Sequence, residues 1–480
     1  MNTCTSYIDG RFLPADEQHL MPVINPQNEL ISGQISMAQI SDAQRAVEVA
    51  HGAFESYSIT SLADRRRLME SLLAVYERRY EEMAQAISLE MGAPIDFASK
   101  SQAECGLGHM RTALEVFDSY PFERSIGNRA KLLAAPVGVT LLITPWNWPI
   151  NQIFSKLAPA LLCGCTVILK PSELAPYSAQ LVAQFIDEAG YPPGVFNLIY
   201  GDGGVIGPVL CEAPQVDLIS FTGSNATGAI VAGMAAKACK RSLQELGGKS
   251  PNIIFADADL SKAVRAGVQH CFSNVGQSCN APTRMLVERS VYDRVVEIAI
   301  QAAQSIAINL PSIAGGHIGP LANSRQYQQF QNYLEIGLTE GARLVFGYQG
   351  RHRDFQSGYF VSPAIFTEVS PNMRIAREEV FGPLLVIIPF VSEDEAISMA
   401  NDSEYGLAAY IQTGDHEKAK RVARQIRAGS VHINGAYQDY DSPFGGFKKS
   451  GIGREWGEFG FHHFTEYQCI NGYHEEGAVR

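Results

Sequence analysis

Basic residues are scarce in this chain. Its 480 residues carry 38 Lys and Arg against 50 Asp and Glu, a formal charge of −12. A surface of that sign repels phosphate backbones, which argues against a nucleic-acid partner. The one basic cluster, Arg65-Arg66-Arg67, reads as a solvated helix face. Long apolar runs are missing too. None reaches the roughly 20 residues that span a bilayer, so no membrane partner is expected. Met1 to Phe12 also lacks the basic-then-apolar order of a secretory signal. Paired metal-type cysteine spacings are absent. The nine cysteines, an odd number, run from Cys4 to Cys469. Cys163 and Cys165 lie in an apolar stretch and read as buried reduced thiols, which points to a cytoplasmic protein without a bound metal. Repeats and low-complexity segments are lacking as well.

What is present is the mixture of a soluble globular protein, 46% apolar and 18% charged, with too much chain for one ordinary domain. Tyr7 to Phe12 reads as a hairpin turning at Asp9-Gly10. Ser41 is placed to cap a helix running to about Tyr57. Leu62 to Met91 carries apolar residues at helical spacing until Gly92 and Pro94. From Pro136 short β-branched runs alternate with helical segments: strands at 137–144, 166–170, 195–200 and 216–221, helices at 152–162, 178–189, 205–211 and 227–238. A second series follows Gly247, with strands near 252–255, 285–287, 344–346, 384–389, 408–412 and 430–434, and helices near 291–304, 394–401 and 416–426. Strands that are apolar throughout imply parallel sheets covered on both faces, hence two α/β domains with a cleft between them.

Four segments carry chemistry. In Asn274-Val275-Gly276-Gln277-Ser278-Cys279 the cysteine follows small polar residues, where exposed backbone N–H groups would favour thiolate. Taken alone it reads rather as a buried structural cysteine. Glu245 ends a strand ahead of Gly247-Gly248, and partial burial would raise its pKa towards that of a general base. Thr144-Pro145-Trp146-Asn147-Trp148-Pro149 follows a parallel strand, where ligands sit in open sheets and an Asn amide can donate to an oxyanion. Phe221-Thr222-Gly223-Ser224-Asn225-Ala226-Thr227-Gly228 leads from strand to helix and offers N–H groups to a phosphate, though it is not GxGxxG.

Together these segments resemble the aldehyde dehydrogenase superfamily over nearly the whole chain. PWNWP (145–149), KPSE (170–173), FTGS (221–224), ELGGKSPNI (245–253), GQSC (276–279), EEVFGP (378–383) and PFGGFKKSGIGRE (443–455) occur in the family's order and at its spacings. The resemblance implies a Rossmann-type cofactor domain (1–118 and 136–246), an α/β catalytic domain (247–445), and a β oligomerisation arm with C-terminal segment (119–135 and 446–480). The arm, near Ser119 to Ala135, would pair with a strand near Phe464 to Asn471 that completes a neighbouring subunit's sheet in a homodimer or homotetramer. Cys279 would be the nucleophile and Asn147 an oxyanion donor. Glu245 would activate water, with Lys156 and Glu455 relaying protons. The cofactor would be NAD, with NADP weaker. Lys170 and Glu173 would hold its adenosine ribose, Ser224 its pyrophosphate, and Glu379 and Phe381 its nicotinamide riboside. Thr144, Pro145, Trp146, Ser172, Gly203, Phe221, Thr222, Gly223, Thr227, Gly228 and Leu246 would complete its surroundings.

The substrate would be a small aldehyde in a channel of Trp148, Gln152, Ser155, Tyr437 and Phe444, with Asn280 beside the nucleophile. Ser155 stands where relatives acting on succinic semialdehyde have arginine and those acting on betaine aldehyde have an aromatic. An uncharged apolar or aromatic aldehyde of medium size follows. The loop from Gly435 to Ser442 is one residue shorter than in some relatives. Three other readings are weighed. A CoA-acylating relative would lack Glu245. A cysteine hydrolase would need a histidine partner in a matching motif, and a structural protein on this fold would lose the site residues.

Overall fold

Five residues, Leu246 to Ser250, carry the chain from the end of one parallel strand to the start of another. In the computed structural model, which describes residues 3–127 and 129–473, those strands belong to two different sheets. The first has eight strands in the order Gly451–Ile452, Arg241–Glu245, Val216–Thr222, Val139–Thr144, Thr166–Pro171, Phe196–Leu198, Tyr7–Ile8, Arg11–Phe12. Its central pairs are parallel, and their register sets Thr222 opposite Glu245 and Thr144 opposite Pro171. The carboxyl ends of the strands therefore form one edge. The second sheet has seven strands, ordered Arg343–Phe346, Ala364–Thr367, Leu384–Phe390, Arg284–Glu288, Pro251–Ile254, Ala408–Gln412, Ser430–Ile433. All its pairs are parallel except the first. The carboxyl edge of the first sheet thus meets the amino edge of the second.

The strands are buried because both faces are covered. Every residue of Thr166–Pro171 and of Pro251–Ile254 is buried, and one core joins the first sheet to Ile150, Phe154, Leu157 and Leu161 of the helix Pro149–Cys163. That helix begins with proline at its first position, where a missing N–H costs nothing. Three further strands, Thr465–Asn471, Ala130–Pro136 and Glu123–Ile126, form an antiparallel sheet of their own, with Asn471 opposite Ala130. Of the C-terminal segment 446–480, residues 474–480 lie outside the described residues. No helix among the described residues is long and apolar enough to cross a membrane.

The α/β architecture stands, with local corrections. The first helix starts at Ile40, not at a Ser41 cap, because Asp42 accepts the Gln39 N–H and closes the turn one residue earlier. The helix expected over Leu62 to Met91 is two, Leu62–Arg78 and Tyr80–Met91, broken where Arg79 leaves helical geometry and donates to Glu82. Arg65 is not solvated. It is buried and donates to the Leu162 carbonyl, while Arg66 and Arg67 pair with acids at the surface. The helices Leu260–Phe272 and Ser324–Thr339 and the strand Ala364–Thr367 are additional to the sequence expectation.

Candidate active site

Cys279 lies on the loop that enters the strand Arg284–Glu288, so it faces the seam between the sheets. The loop is built under strain. Asn274 and Val275 both take left-handed conformations, φ 51° and 57°, ahead of Gly276 at φ 70°. For a β-branched residue this is a true outlier and costs about 1–3 kcal/mol. Amides hold the loop there. Asn274 Nδ2 donates to the Asn147 and Gln277 carbonyls, Gln277 Nε2 donates to the Asn274 carbonyl, and Gln102 Nε2 donates to Asn274 Oδ1. Side chains are impossible at two contacts. A Cβ on Gly276 would sit 2.3 Å from the Gly382 carbonyl oxygen, and one on Gly248 would sit 2.2 Å from that of Cys279. The second glycine of ELGG therefore lets the first sheet's exit loop lie against the nucleophile's backbone.

A cleft of about 310 Å³ opens above this seam. It collects Cys279, Glu245 and Asn147 with Pro145, Trp146, Gln152, Thr222, Gly223, Ser224, Thr227, Leu246, Glu379 and Phe381. Asn147 Nδ2 gives one proton to the Gln277 carbonyl at 3.0 Å, which fixes the amide and leaves its second N–H for a ligand. Glu245 is buried and neither carboxyl oxygen has a partner. Burial first, then the charge of Glu455, raises its pKa well above the usual carboxylate range. The thiolate expectation for Cys279 is corrected. Burial pushes its pKa up to about 12, and Glu379 and Glu245 add to the effect. The thiol is neutral until a base acts on it.

The remaining cofactor-assigned residues extend from this cleft or back it. The helix Asn225–Lys237 points its N-terminus into the cleft, capped by Ser224, whose Oγ accepts the Thr227 N–H. Gly228 lies behind, against Leu246, and Phe221 backs Gly223. Lys170 Nζ donates to Glu173 Oε1 at 2.5 Å. Gly203 opens the helix beside Lys170, and Ser172 Oγ accepts the Leu174 N–H. Thr144 and Thr222 carry buried hydroxyls without partners. Glu379 accepts the Gly248 N–H, and burial lifts its pKa to about 7. Phe381, itself at φ 55°, meets Trp146 edge-on at 5.6 Å. Asn323, Arg325, Gln326 and Gln329 also line the cleft but escaped the sequence reading. They sit at the start of an unrecognised helix, where Gln326 and Gln329 hold the carbonyls of Phe381 and Val380. The Asn323 cap, which accepts the Gln326 N–H, was the available signal.

The aldehyde channel needs two corrections. Tyr437 is 96% exposed and lines nothing. Tyr440, three residues on, is the aromatic that packs inward, edge-on to His109 at 4.8 Å and tilted on Trp456. Ser155 does not line the main cleft. Its Oγ lies 3.2 Å from Glu455 Oε2, while Lys156 Nζ meets Glu455 Oε1 at 2.5 Å. The other channel residues have these contacts. Trp148 donates its indole N–H to Ser278 Oγ at 2.8 Å and meets Phe97 edge-on. Gln152 lines the cleft. Phe444 stacks on Trp456 at 4.7 Å. Asn280 follows Cys279 directly, and its carbonyl accepts from the Tyr410 hydroxyl. Among the described residues no cluster of His, Cys, Asp and Glu is arranged to hold a metal.

Known proteins resemble this chain in sequence and fold. The Aldehyde dehydrogenase family model matches residues 12–470. A 3-succinoylsemialdehyde-pyridine dehydrogenase from a Pseudomonas species is 48% identical over 468 residues, covering 97% of this chain and 98% of its own. The crystal structure of an aldehyde dehydrogenase from Bartonella henselae superposes with a TM-score of 0.97 at 44% identity, covering 98% of this chain and 100% of that one. A cysteine-to-alanine variant of aldehyde dehydrogenase C from Pseudomonas syringae, solved with NAD+ and octanal, reaches 0.96 at 44% identity, covering 98% and 96%.

Proposed function

The chain belongs to the aldehyde dehydrogenase family, and we propose that it oxidises an uncharged, medium-sized apolar or aromatic aldehyde to the carboxylic acid with NAD, through a thioester on Cys279. The observation that carries this reading is the convergence of Cys279, Asn147 and an unpartnered Glu245 in one cleft between the two sheets. The residues around it suit a dinucleotide: a capped helix N-terminus for phosphate, the half-buried Glu379 carboxylate for ribose hydroxyls, and partnerless hydroxyls at Thr144 and Thr222.

When bound, NAD supplies the hydride acceptor. The chain supplies the rest. Cys279 Sγ attacks the aldehyde carbon after loss of its proton, and the free N–H of Asn147 steadies the oxyanion that forms. Loss of hydride leaves the thioester. Glu245 then takes a proton from water, which attacks the thioester carbon and expels Cys279 thiolate with the acid as product. Burial, then the charge of Glu455, raises the Glu245 pKa, so its carboxylate takes up a proton more readily than an ordinary glutamate.

The substrate reading rests on the aromatic residues assigned to the channel, Trp148 and Phe444, without a cation assigned among the channel residues. Such walls reward apolar area at roughly 25 cal/mol per Å². The relatives' substrates agree in kind: octanal is apolar, and the Pseudomonas dehydrogenase is named for a pyridine-bearing semialdehyde. The test is NADH formation with hexanal and benzaldehyde, NAD and no CoA, against a carboxylated semialdehyde. A tenfold preference for the carboxylated substrate overturns the substrate reading, and a requirement for CoA overturns the reaction. The strand Thr465–Asn471 is exposed along Glu466 to Cys469. Such an edge favours pairing with a second copy, which supports a homodimer or homotetramer. All nine cysteines are free, which supports a reducing, cytoplasmic setting.

A further inference from the structure

Three side chains from two stretches of chain meet around the Glu455 carboxylate. Lys156 Nζ lies 2.5 Å from Oε1, Ser220 Oγ 3.5 Å from the same oxygen, and Ser155 Oγ 3.2 Å from Oε2. The main chain is pinned as well, since Phe444 and Glu455 exchange both backbone hydrogen bonds, at 2.8 and 2.7 Å. Lys156 is wholly enclosed, Glu455 is 2% exposed and Ser155 3%. Ser155 belongs to this group rather than to the channel wall. The other space it borders is a nearly closed pocket beside His109, Tyr440 and Trp456, with about 10 Å³ free.

We propose that Ser155 is a positioning residue for the hydrolytic half of the reaction, holding the Glu455 carboxylate ionised and oriented to take the proton that Glu245 removes from water. The proposal rests on the reading of Glu245 as that base. Lys156 neutralises one oxygen of Glu455. Without Ser155 the other would be a buried anionic oxygen with no donor, and hydroxyl donation favours the charged form. The step is proton transfer alone. The O–H bond on Glu245 breaks, one forms on Glu455, and no electrons change hands. The charged and titratable groups acting here are Lys156 from its own helix, Glu245 at the adjoining strand end, Arg454 next in sequence, and His463 from the last helix.

A Ser155→Thr and Ser155→Val pair tests this, because the two share a shape and differ in the hydroxyl. The wild type and both variants should give the same NADH burst on mixing with aldehyde and NAD. Steady turnover should stay near wild type in Ser155→Thr and fall about fivefold or more in Ser155→Val. The kcat–pH profile of Ser155→Val should also depart from that of Ser155→Thr, which keeps the donor to Glu455. Thr and Val profiles that coincide overturn the proposal, as does a Val variant that changes KM across an aldehyde panel with its kcat–pH profile intact. The latter would return Ser155 to the channel wall. A wild type without a burst would instead overturn the parent reading of the reaction. A Val variant that fails to bind NAD is replaced by Ser155→Ala under the same criteria.

Discussion

Two buried glutamates beside the first sheet are treated in opposite ways. Glu455 is enclosed with a lysine, two serines and a bridged backbone, so its carboxylate is satisfied on both oxygens. Glu245 is as deeply buried and has no hydrogen-bond partner among the described residues. Burial of a carboxylate is costly, and native proteins meet that cost with hydrogen bonds wherever stability alone is at stake. The contrast assigns the two groups. A satisfied acid is support, held for its place and charge, whereas an unsatisfied one is kept available to a reactant. Removing Lys156 would leave Glu455 buried and uncompensated, a loss of about 3–5 kcal/mol. Losing the Glu245 charge removes no bond in the resting protein.

The comparison can be broken from either side. Replacing Cys279 by serine should have the largest effect, lowering NADH formation by about 10³-fold or more with NAD binding retained. A variant with near-normal turnover would place the nucleophile on another cysteine. Glu245→Gln should lose about 10²–10⁴-fold in steady turnover and keep a burst of up to one NADH per site. If the burst disappears too, Glu245 is also needed to deprotonate the thiol. In the intact enzyme Glu245 works only in its ionised form, so turnover should climb with pH through a limb well above the ordinary carboxylate range. A limb near the usual glutamate value of about 4.3 contradicts the buried, unpartnered state.

Smaller effects sharpen the contrast at the cofactor end. Glu173 should favour NAD over NADP by about tenfold or more, equivalent to about 1.4 kcal/mol, because a carboxylate repels a 2′-phosphate. Lys170, at 2.5 Å from Glu173, offsets part of that. Glu173→Gln should narrow the ratio, and equal efficiencies in the wild type would sink the argument. The mildest change is Gln326→Ala, which frees the Phe381 carbonyl. The loss of one neutral hydrogen bond, about 0.5–1.5 kcal/mol, should weaken NAD two- to tenfold in a direct binding titration. No change would mean Phe381 is held by its backbone alone.

Much of this was legible in the sequence wherever a periodic element ends in a short motif. Strand ends at Thr144, Phe221 and Glu245 fell where apolar runs gave way to Pro, Gly and polar residues, and parallel register brought those ends together. The misses share a cause. Arg65 has the composition of a surface residue, and its burial is decided by the Leu162 carbonyl nearly a hundred positions away. Tyr437 and Tyr440 lie in a loop without period, so only contact with His109 and Trp456 selects between them. Ser155 shares a helix face with Trp148 and Gln152, but its neighbour Glu455 comes from the far end of the chain. The helix at Ser324 was masked by glutamines, whose amides serve the cleft rather than a core.

The close contact between Gly248 and the Cys279 carbonyl has a consequence for folding. Each sheet can form its own ladders, but the nucleophile's seat has no half of its own. The exit loop of one sheet, the Asn147 amide from the same sheet and the strained turn of the other exist as a site only when pressed together. Until then the turn has only its own Asn274–Gln277 bonds and lacks those from Gln102 and to Asn147. Chemical competence is therefore a late event. A refolding chain recovers its helical signal first and its thiol chemistry only on docking, so activity serves as a clock for the final assembly step.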